Sequence, residues 1–144
     1  WVIWMSRMKN WLLPGIMGII ILLSVGYYAL SGPSKLSNGQ ILEKASEINK
    51  QLPRRIDANL YWDRANAEAR QFNFYYSLAE LAKEEIDIGS FKQKQTQVLE
   101  RFSCSDPQSL SLLQGEAQIN YIYRDKDGEL ITQILITPAH CVGN

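Results

Sequence analysis

Two cysteines and one histidine are the side chains of this 144-residue sequence with the most versatile chemistry. Cys104 and Cys141 could form a disulfide, hold a metal ion or act as nucleophiles, and His140 lies directly beside Cys141. An even number of cysteines in an oxidising compartment favours a disulfide, which would stabilise a small domain by about 4 kcal/mol. The two cysteines are spaced too widely for a typical zinc site, and the sequence has no Cys-x-x-Cys redox motif. We therefore predict a structural disulfide and no bound metal.

Other motifs for catalysis are missing from the sequence. A disulfide would consume both thiols, so we predict that His140 is a surface residue rather than part of a catalytic pair. The run Asp125–Gly128 matches only the first half of a calcium loop, and a hairpin turn is the simpler interpretation. A glycine-rich phosphate loop and a basic stripe for nucleic acid are both absent. The sequence predicts a protein that is not an enzyme and needs no cofactor, with a hydrolase built on Asp57 and Asp63 as a remoter hypothesis.

Three aromatic residues could serve in binding. Tyr61 and Trp62 are adjacent in a predicted strand, so their side chains point to opposite faces of a sheet. If helices cover only one face, either Tyr61 or Trp62 is exposed, and Tyr75 on the next strand presents the same question. Exposed aromatic residues are typical of protein interfaces. We interpret these three residues as a candidate interface, with a covering loop as the alternative.

The helices and strands that must position these residues can be recognised from the spacing of apolar residues and from capping and turn residues. Apolar residues at helical spacing follow Ser37 and Asn38, and a second helix begins at Asp87 or Ser90. Alternating apolar and polar residues around Phe74 predict one strand. The same alternation before and after the turn Asp125–Gly128 predicts two strands that form a hairpin. The order predicts an α+β fold with helices packed on one face of a mostly antiparallel four-stranded sheet. The predicted elements are helices at about 37–51, 87–103 and 107–115, and strands at about 56–64, 70–81, 119–123 and 130–137.

A long uncharged segment precedes these elements. The formal net charge is zero, but no charged residue falls between Lys9 and Lys35, and most of that gap is apolar. Roughly 20 apolar residues span a bilayer, so the gap predicts one transmembrane helix. Arg7 and Lys9 favour a cytoplasmic N-terminus, which places the later part in the periplasm of a Gram-negative cell and the protein in the inner membrane. The predicted parts are a cytoplasmic tail (1–10), a transmembrane helix (11–30), a linker (31–36) and a periplasmic domain (37–144).

The predicted span has features of an anchor that packs against other helices. Aromatic residues at its two ends are placed like interfacial anchors, and its small residues share one face, which would let another helix approach closely. Two alternatives remain open: a cleavable signal peptide has a similar pattern, and glycine is common in membrane helices generally. The predicted anchors are Trp11, Tyr27 and Tyr28, and the predicted packing face comprises Gly15, Gly18, Leu22, Gly26 and Ala29.

Several short runs in the later part resemble one group of proteins. They are Ile48–Pro53, Phe74–Tyr76, Cys104, Tyr121–Gly128 and Ile136–Pro138 with Cys141. Together they resemble small, uncharacterised proteobacterial envelope proteins, membrane-anchored or exported, that have an α+β fold and two cysteines at this spacing. The resemblance implies a fold and a compartment but no catalytic residue. The sequence departs from the group at Asn59–Asp63, where additional aromatic residues hint at a specialised contact.

These observations lead to a functional hypothesis. We expect a single-pass accessory or structural subunit of a multi-protein envelope complex, of a secretion or respiratory type, whose partners are other membrane-protein subunits and the lipid bilayer. We expect neither a nucleic-acid partner nor a small-molecule substrate. The alternative is a membrane-tethered periplasmic module that binds a small molecule, a peptide or cell-wall material, which would require a concave apolar pocket.

Overall fold

The structure, a computed structural model, describes residues 34–143. Helix α1 comprises Asn38–Asn49, α2 comprises Ile88–Ser105 and α3 comprises Pro107–Gln114. The strands are β1 (Arg54–Arg55), β2 (Leu60–Glu68), β3 (Gln71–Leu78), β4 (Gln118–Arg124) and β5 (Leu130–Ile136). Short 3₁₀ turns occupy Lys83–Glu85 and Pro138–Cys141.

The helices begin at the residues whose side chains can cap them. The Ser37 hydroxyl accepts a hydrogen bond from the Gln40 backbone N–H at 3.2 Å, and the Gln40 side chain accepts one from the Ser37 N–H at 2.8 Å. Asp87 and Asp106 each accept the backbone N–H three residues later, at the starts of α2 and α3. Such caps satisfy N–H groups that have no partner within the helix, which explains why the predicted helix starts agree with the observed ones.

The sheet differs from the predicted four-stranded, mostly antiparallel one. It has five strands in the order β1-β2-β3-β4-β5, and it is mixed, because β3 and β4 run parallel. Parallel neighbours require a long crossover, and the segment carrying α2 and α3 supplies one. The additional strand β1 pairs Arg54 with Trp62 and Arg55 with Tyr61. The prediction was wrong here because a strand of two exposed arginines has no apolar pattern to reveal it.

The core lies on one face of the sheet, beneath the three helices. Alternate residues of β3 and β4 point into it, and the Tyr121 hydroxyl is hydrogen-bonded to the hydroxyl of Ser103 on α2 at 2.9 Å. Ile122, between two of these positions, points to the other face and is not part of the core cluster. The predicted packing of helices on a single face is therefore observed. The core residues of the two strands are Phe72, Phe74, Tyr76 and Leu78 of β3 and Ile119, Tyr121 and Tyr123 of β4.

Two features fix the ends of these elements. Cys104 and Cys141 form the predicted disulfide, with 5.3 Å between their Cα atoms, and so join the end of α2 to the turn that follows β5. The predicted hairpin turn between β4 and β5 is organised by Asp125. Its buried carboxylate accepts backbone N–H groups from Lys83, Asp127 and Glu129 at 2.8–2.9 Å. Burial alone would raise the pKa of Asp125, but these hydrogen bonds together hold it below the usual value.

The predicted transmembrane segment is not part of this description. Its anchors Trp11, Tyr27 and Tyr28 lie outside the described residues, as does the small-residue face comprising Gly15, Gly18, Leu22, Gly26 and Ala29. Among residues 34–143, no helix combines the length and the apolar character needed to cross a membrane.

Candidate functional site

An apolar groove lies between α2 and the first two strands of the sheet, and we refer to it as the groove. Its volume is about 420 Å³. The sheet forms its floor, α2 forms one wall, and β1 with the segment after it forms the other. The lining residues are Arg54, Ile56, Leu60, Trp62, Phe74, Tyr76, Gln95, Val98, Leu99, Phe102, Asp106, Gln108, Ser109 and Tyr123.

The floor of the groove is a set of packed aromatic rings. Trp62 of β2 lies 4.8 Å from Phe74 and 5.7 Å from Tyr76, centroid to centroid, and is stacked almost parallel to Tyr76. Tyr76 in turn stacks on Tyr123 of β4 at 5.3 Å. Trp62 and Tyr76 are direct cross-strand partners, so the ladder between β2 and β3 sets their separation. This floor is rigid and large, which suits it to receive apolar side chains.

The walls of the groove expose large apolar side chains. Val98 and Phe102, one turn apart on α2, are 57% and 48% exposed, and Ile56 on the opposite wall is 44% exposed. Because these side chains are already about half buried, covering the exposed part of each is favourable by roughly 1 kcal/mol. The groove can therefore bind an apolar surface presented by another molecule.

Polar atoms also reach the groove. The indole Nε1 of Trp62 is buried and has no hydrogen-bond partner within residues 34–143. The Tyr76 hydroxyl has none among the described residues, and burial is the main cause that raises its pKa, so the phenol is protonated at neutral pH. The Arg54 guanidinium lies over the Trp62 ring, 5.4 Å from its centroid. An otherwise apolar floor thus carries one buried donor without a partner among residues 34–143, together with a tyrosine hydroxyl and a nearby cation.

The structure separates the three residues of the predicted aromatic interface. Trp62 points into the core and the groove and is only 7% exposed, so of the adjacent pair Tyr61 and Trp62 it is Trp62 that the helices cover. Tyr61 and Tyr75 lie half-buried on the opposite face of the sheet, where the Arg64 guanidinium packs over the Tyr75 ring at 3.8 Å. The alternation along β2 and β3 places them there, because the three helices all pack on the other side.

That opposite face, the open face, carries a row of amide side chains across four strands. The Asn73 side-chain oxygen accepts hydrogen bonds from Gln71 at 2.8 Å and Asn120 at 3.3 Å, and its nitrogen donates to Asn66 at 3.0 Å. Asn120 also donates to Gln133 at 3.1 Å. These amides satisfy one another, in contrast to the donors of the groove.

The remaining candidate residues make separate local contacts. Asp57 accepts the backbone N–H of Asn59 at 2.8 Å, whereas Asp63 is exposed at the bulge of β2. His140 is an exposed residue whose Nδ1 is hydrogen-bonded to Thr137, and its Nε2 lies 3.7 Å from a Glu100 oxygen. Within residues 34–143, no group of three or more His, Cys, Asp or Glu side chains is placed to hold a metal ion.

Two further depressions differ in character from the groove. One, of about 490 Å³, is lined by polar residues around the β2–β3 turn, including Glu68, Arg70 and Gln71. The other, of about 330 Å³, adjoins the groove, since both are lined by Leu60, Gln95 and Tyr123. Only the groove combines an aromatic floor with exposed apolar walls among these three depressions.

The sequence predicted the helix at about 87–103 but did not identify Val98 and Phe102 within it as a binding wall. Arg54 and Ile56 were missed as well, because β1 was not predicted. The signal in the sequence was the width of the apolar stripe on α2. Leu99 of this stripe is buried in the core, but the stripe is wider than the sheet can cover.

Known folds provide a comparison for this architecture. A candidate secreted protein of Pseudomonas aeruginosa is similar in structure, with a TM-score of 0.60, 17% identity, and coverage of 75% of this chain and 98% of that one. EpsS, a type 2 secretion system pilotin of Vibrio vulnificus, has a TM-score of 0.58 and 15% identity over 72% of this chain and 90% of its own. AspS, the type II secretion system pilotin of Vibrio cholerae, has a TM-score of 0.56 and 19% identity over 70% and 88%.

At these identities the likeness shows a common fold. No family model matches the sequence, and no curated protein does.

Proposed function

We propose that this chain is a non-enzymatic accessory protein of an envelope secretion assembly and that its groove binds an amphipathic segment of a protein partner. The observation that carries the proposal is the groove, with its aromatic floor and the exposed walls of Val98, Phe102 and Ile56. An apolar depression whose lining also includes polar residues fits a segment that is apolar on one side only. The shared fold with two secretion-system pilotins supports a secretion setting.

The membrane part of the proposal comes from the sequence. A span at 11–30 with Arg7 and Lys9 before it would anchor the chain in the inner membrane and hold residues 37–144 in the periplasm. The disulfide between Cys104 and Cys141 supports an oxidising compartment. Additional contacts through the small-residue face of the span would link the protein to other membrane subunits.

Site-specific photocrosslinking in cells tests this function. A photoreactive residue replaces Val98 in the groove of the full chain, and the matched control carries it at Leu135, which is 44% exposed on the open face. We expect a discrete protein adduct from position 98 and none from position 135. Equal labelling from both positions, or no protein adduct from position 98, contradicts the proposal.

A second candidate function uses the same groove for a small ligand. A cavity of about 420 Å³ with a mostly apolar lining is of the size that small molecules occupy. In that case position 98 forms no protein adduct, and native mass spectrometry of the purified chain shows a bound small molecule that the Phe102→Glu variant does not retain.

A further inference from the structure

Two hydrogen-bond donors on the floor of the groove have no partner among residues 34–143, and we name them the donor corner. The donor corner consists of Nε1 of Trp62 and the hydroxyl of Tyr76. These two residues as a whole are 93% and 92% buried. Nε1 of Trp62 is the one that is closed to solvent. Trp62 and Tyr76 face each other across the β2–β3 ladder and stack at 5.7 Å. Both side chains line the groove, so an occupant of the groove would lie against them.

A buried donor without an acceptor is costly, and most buried donors in proteins are paired. The other buried tyrosine hydroxyls of the same core do have partners: Tyr121 is bonded to Ser103, and Tyr123 donates to Gln95 at 3.4 Å. The lack of a partner is therefore specific to the donor corner and not general to this core. An occupant that supplied an oxygen acceptor there would remove the cost, whereas a purely apolar occupant would bury the donors further.

The charges around the donor corner favour an anionic acceptor. Arg54 lies over the Trp62 ring, and its side chain is exposed, so it can turn toward an occupant. Asp106 also lines the groove, but its carboxylate accepts the backbone N–H of Ser109 at 2.9 Å at the start of α3, where the helix dipole stabilises it. At the Tyr76 hydroxyl, the influence of Arg54 on the pKa is larger than the opposing influence of Asp106.

We propose that the segment bound in the groove presents the carboxylate of an Asp or Glu side chain to the donor corner, where it accepts hydrogen bonds from Trp62 and Tyr76 and pairs with Arg54. The proposal rests on the proposed function, and it adds the chemistry of the partner: an apolar stripe interrupted by one acidic residue. Nε1 of Trp62 is closed to solvent in the free chain, so binding requires a rotamer change of the exposed side chains at the groove mouth, which is common at interfaces. Hydrogen bonds to a charged group are strong enough for each donor to alter binding about tenfold.

The test uses the full chain with the photoreactive residue at position 98, in cells, and measures the fraction of chain captured. Arg54→Gln and Tyr76→Phe are each expected to lower capture about tenfold. The matched controls are Arg64→Gln and Tyr75→Phe on the open face, which remove the equivalent cation and hydroxyl from the other side of the sheet. We expect these controls to leave capture within about twofold of the parent chain. Circular dichroism melting checks that the Tyr76→Phe variant is folded. Arg54 is exposed, so its replacement does not disturb the core.

Sequencing the captured peptide completes the test. We expect an Asp or Glu within it, whose replacement by Asn or Gln lowers capture about tenfold, with no additional loss when Arg54→Gln is combined with it. An adduct that is insensitive to both Arg54→Gln and Tyr76→Phe, or a captured segment without an acidic residue, overturns this proposal while leaving the proposed function standing. The absence of any adduct at position 98 overturns both.

Discussion

The polar side chains on the two faces of the sheet differ in how completely they are hydrogen-bonded. On the open face, Asn73 connects Gln71, Asn66 and Asn120 in a continuous row of hydrogen bonds. On the groove face, the donors of Trp62 and Tyr76 have no partner of this kind. Each face also has an arginine over an aromatic ring, Arg64 over Tyr75 on the open face and Arg54 over Trp62 in the groove. The amide side chains of the open face pair with one another, whereas the groove face leaves Nε1 of Trp62 without a partner within residues 34–143.

The largest expected difference between the faces is in their contribution to stability. Phe74 and Tyr75 are neighbours on β3, but Phe74 points into the core and Tyr75 onto the open face. Phe74→Ala should lower the free energy of unfolding by about 4 kcal/mol, because it removes buried apolar volume and leaves a cavity. Tyr75→Ala should lower it by roughly 1 kcal/mol, since a half-buried ring and one cation–π contact are lost. Urea unfolding of both variants measures the difference, and equal effects would contradict the assignment of the core to one face.

The disulfide is expected to have a similarly large effect, and to act on the groove side. It fixes the end of α2, which forms a groove wall, to the turn after β5. Replacing both Cys104 and Cys141 by Ser should lower the free energy of unfolding by about 4 kcal/mol through the entropy of the opened loop. The same replacement should reduce capture from position 98 more than Arg64→Gln does, because the wall loses its anchor. Unchanged chemical stability of the double variant would show that the bridge does not constrain the fold.

A smaller difference in stability is expected between removing a polar group that is hydrogen-bonded and removing one that is not. Asn73→Ala leaves several amide groups of the open face without a partner and should cost about 2 kcal/mol. Tyr76→Phe removes a hydroxyl with no partner among the described residues, so stability should change by less than about 0.5 kcal/mol. Chemical denaturation at neutral pH compares the two. A large loss in Tyr76→Phe would mean that its hydroxyl is bonded within the free chain, which would weaken the proposal for the donor corner.

The last expected effect is a dependence on alkaline pH that comes from the groove face. Burial is the main cause that raises the pKa of Tyr76, Tyr121 and Tyr123 above the usual value. The folded state therefore keeps protons that the unfolded state releases above about pH 10, and the free energy of unfolding should fall as the pH rises beyond that value. Tyr76→Phe should make this fall less steep. Stability that is flat between pH 9 and pH 11 would contradict the burial of these hydroxyls.

Local patterns predicted much of the fold because their causes are local. Ser37, Asp87 and Asp106 cap helices through side chains that reach backbone N–H groups only three residues away. The alternation from Phe72 to Leu78 predicted a half-buried strand, and the two cysteines predicted a bridge. The pairing of β3 with β4 could not be predicted in this way, because their register joins residues such as Phe74 and Tyr121 that are far apart in sequence.

The sequence by itself determined that Tyr61 and Trp62 lie on opposite faces of a strand, since successive side chains always alternate. It also determined where the helices begin, which two cysteines can pair, and that an apolar segment precedes the α+β part. Only the tertiary structure decided which of the two aromatic residues is buried, because that depends on the face that all three helices cover. It alone brought Arg54, Trp62, Tyr76 and Phe102 together, through strand pairing and helix packing between separate parts of the chain. The groove is a product of those long-range contacts, and no local pattern in the sequence encodes it.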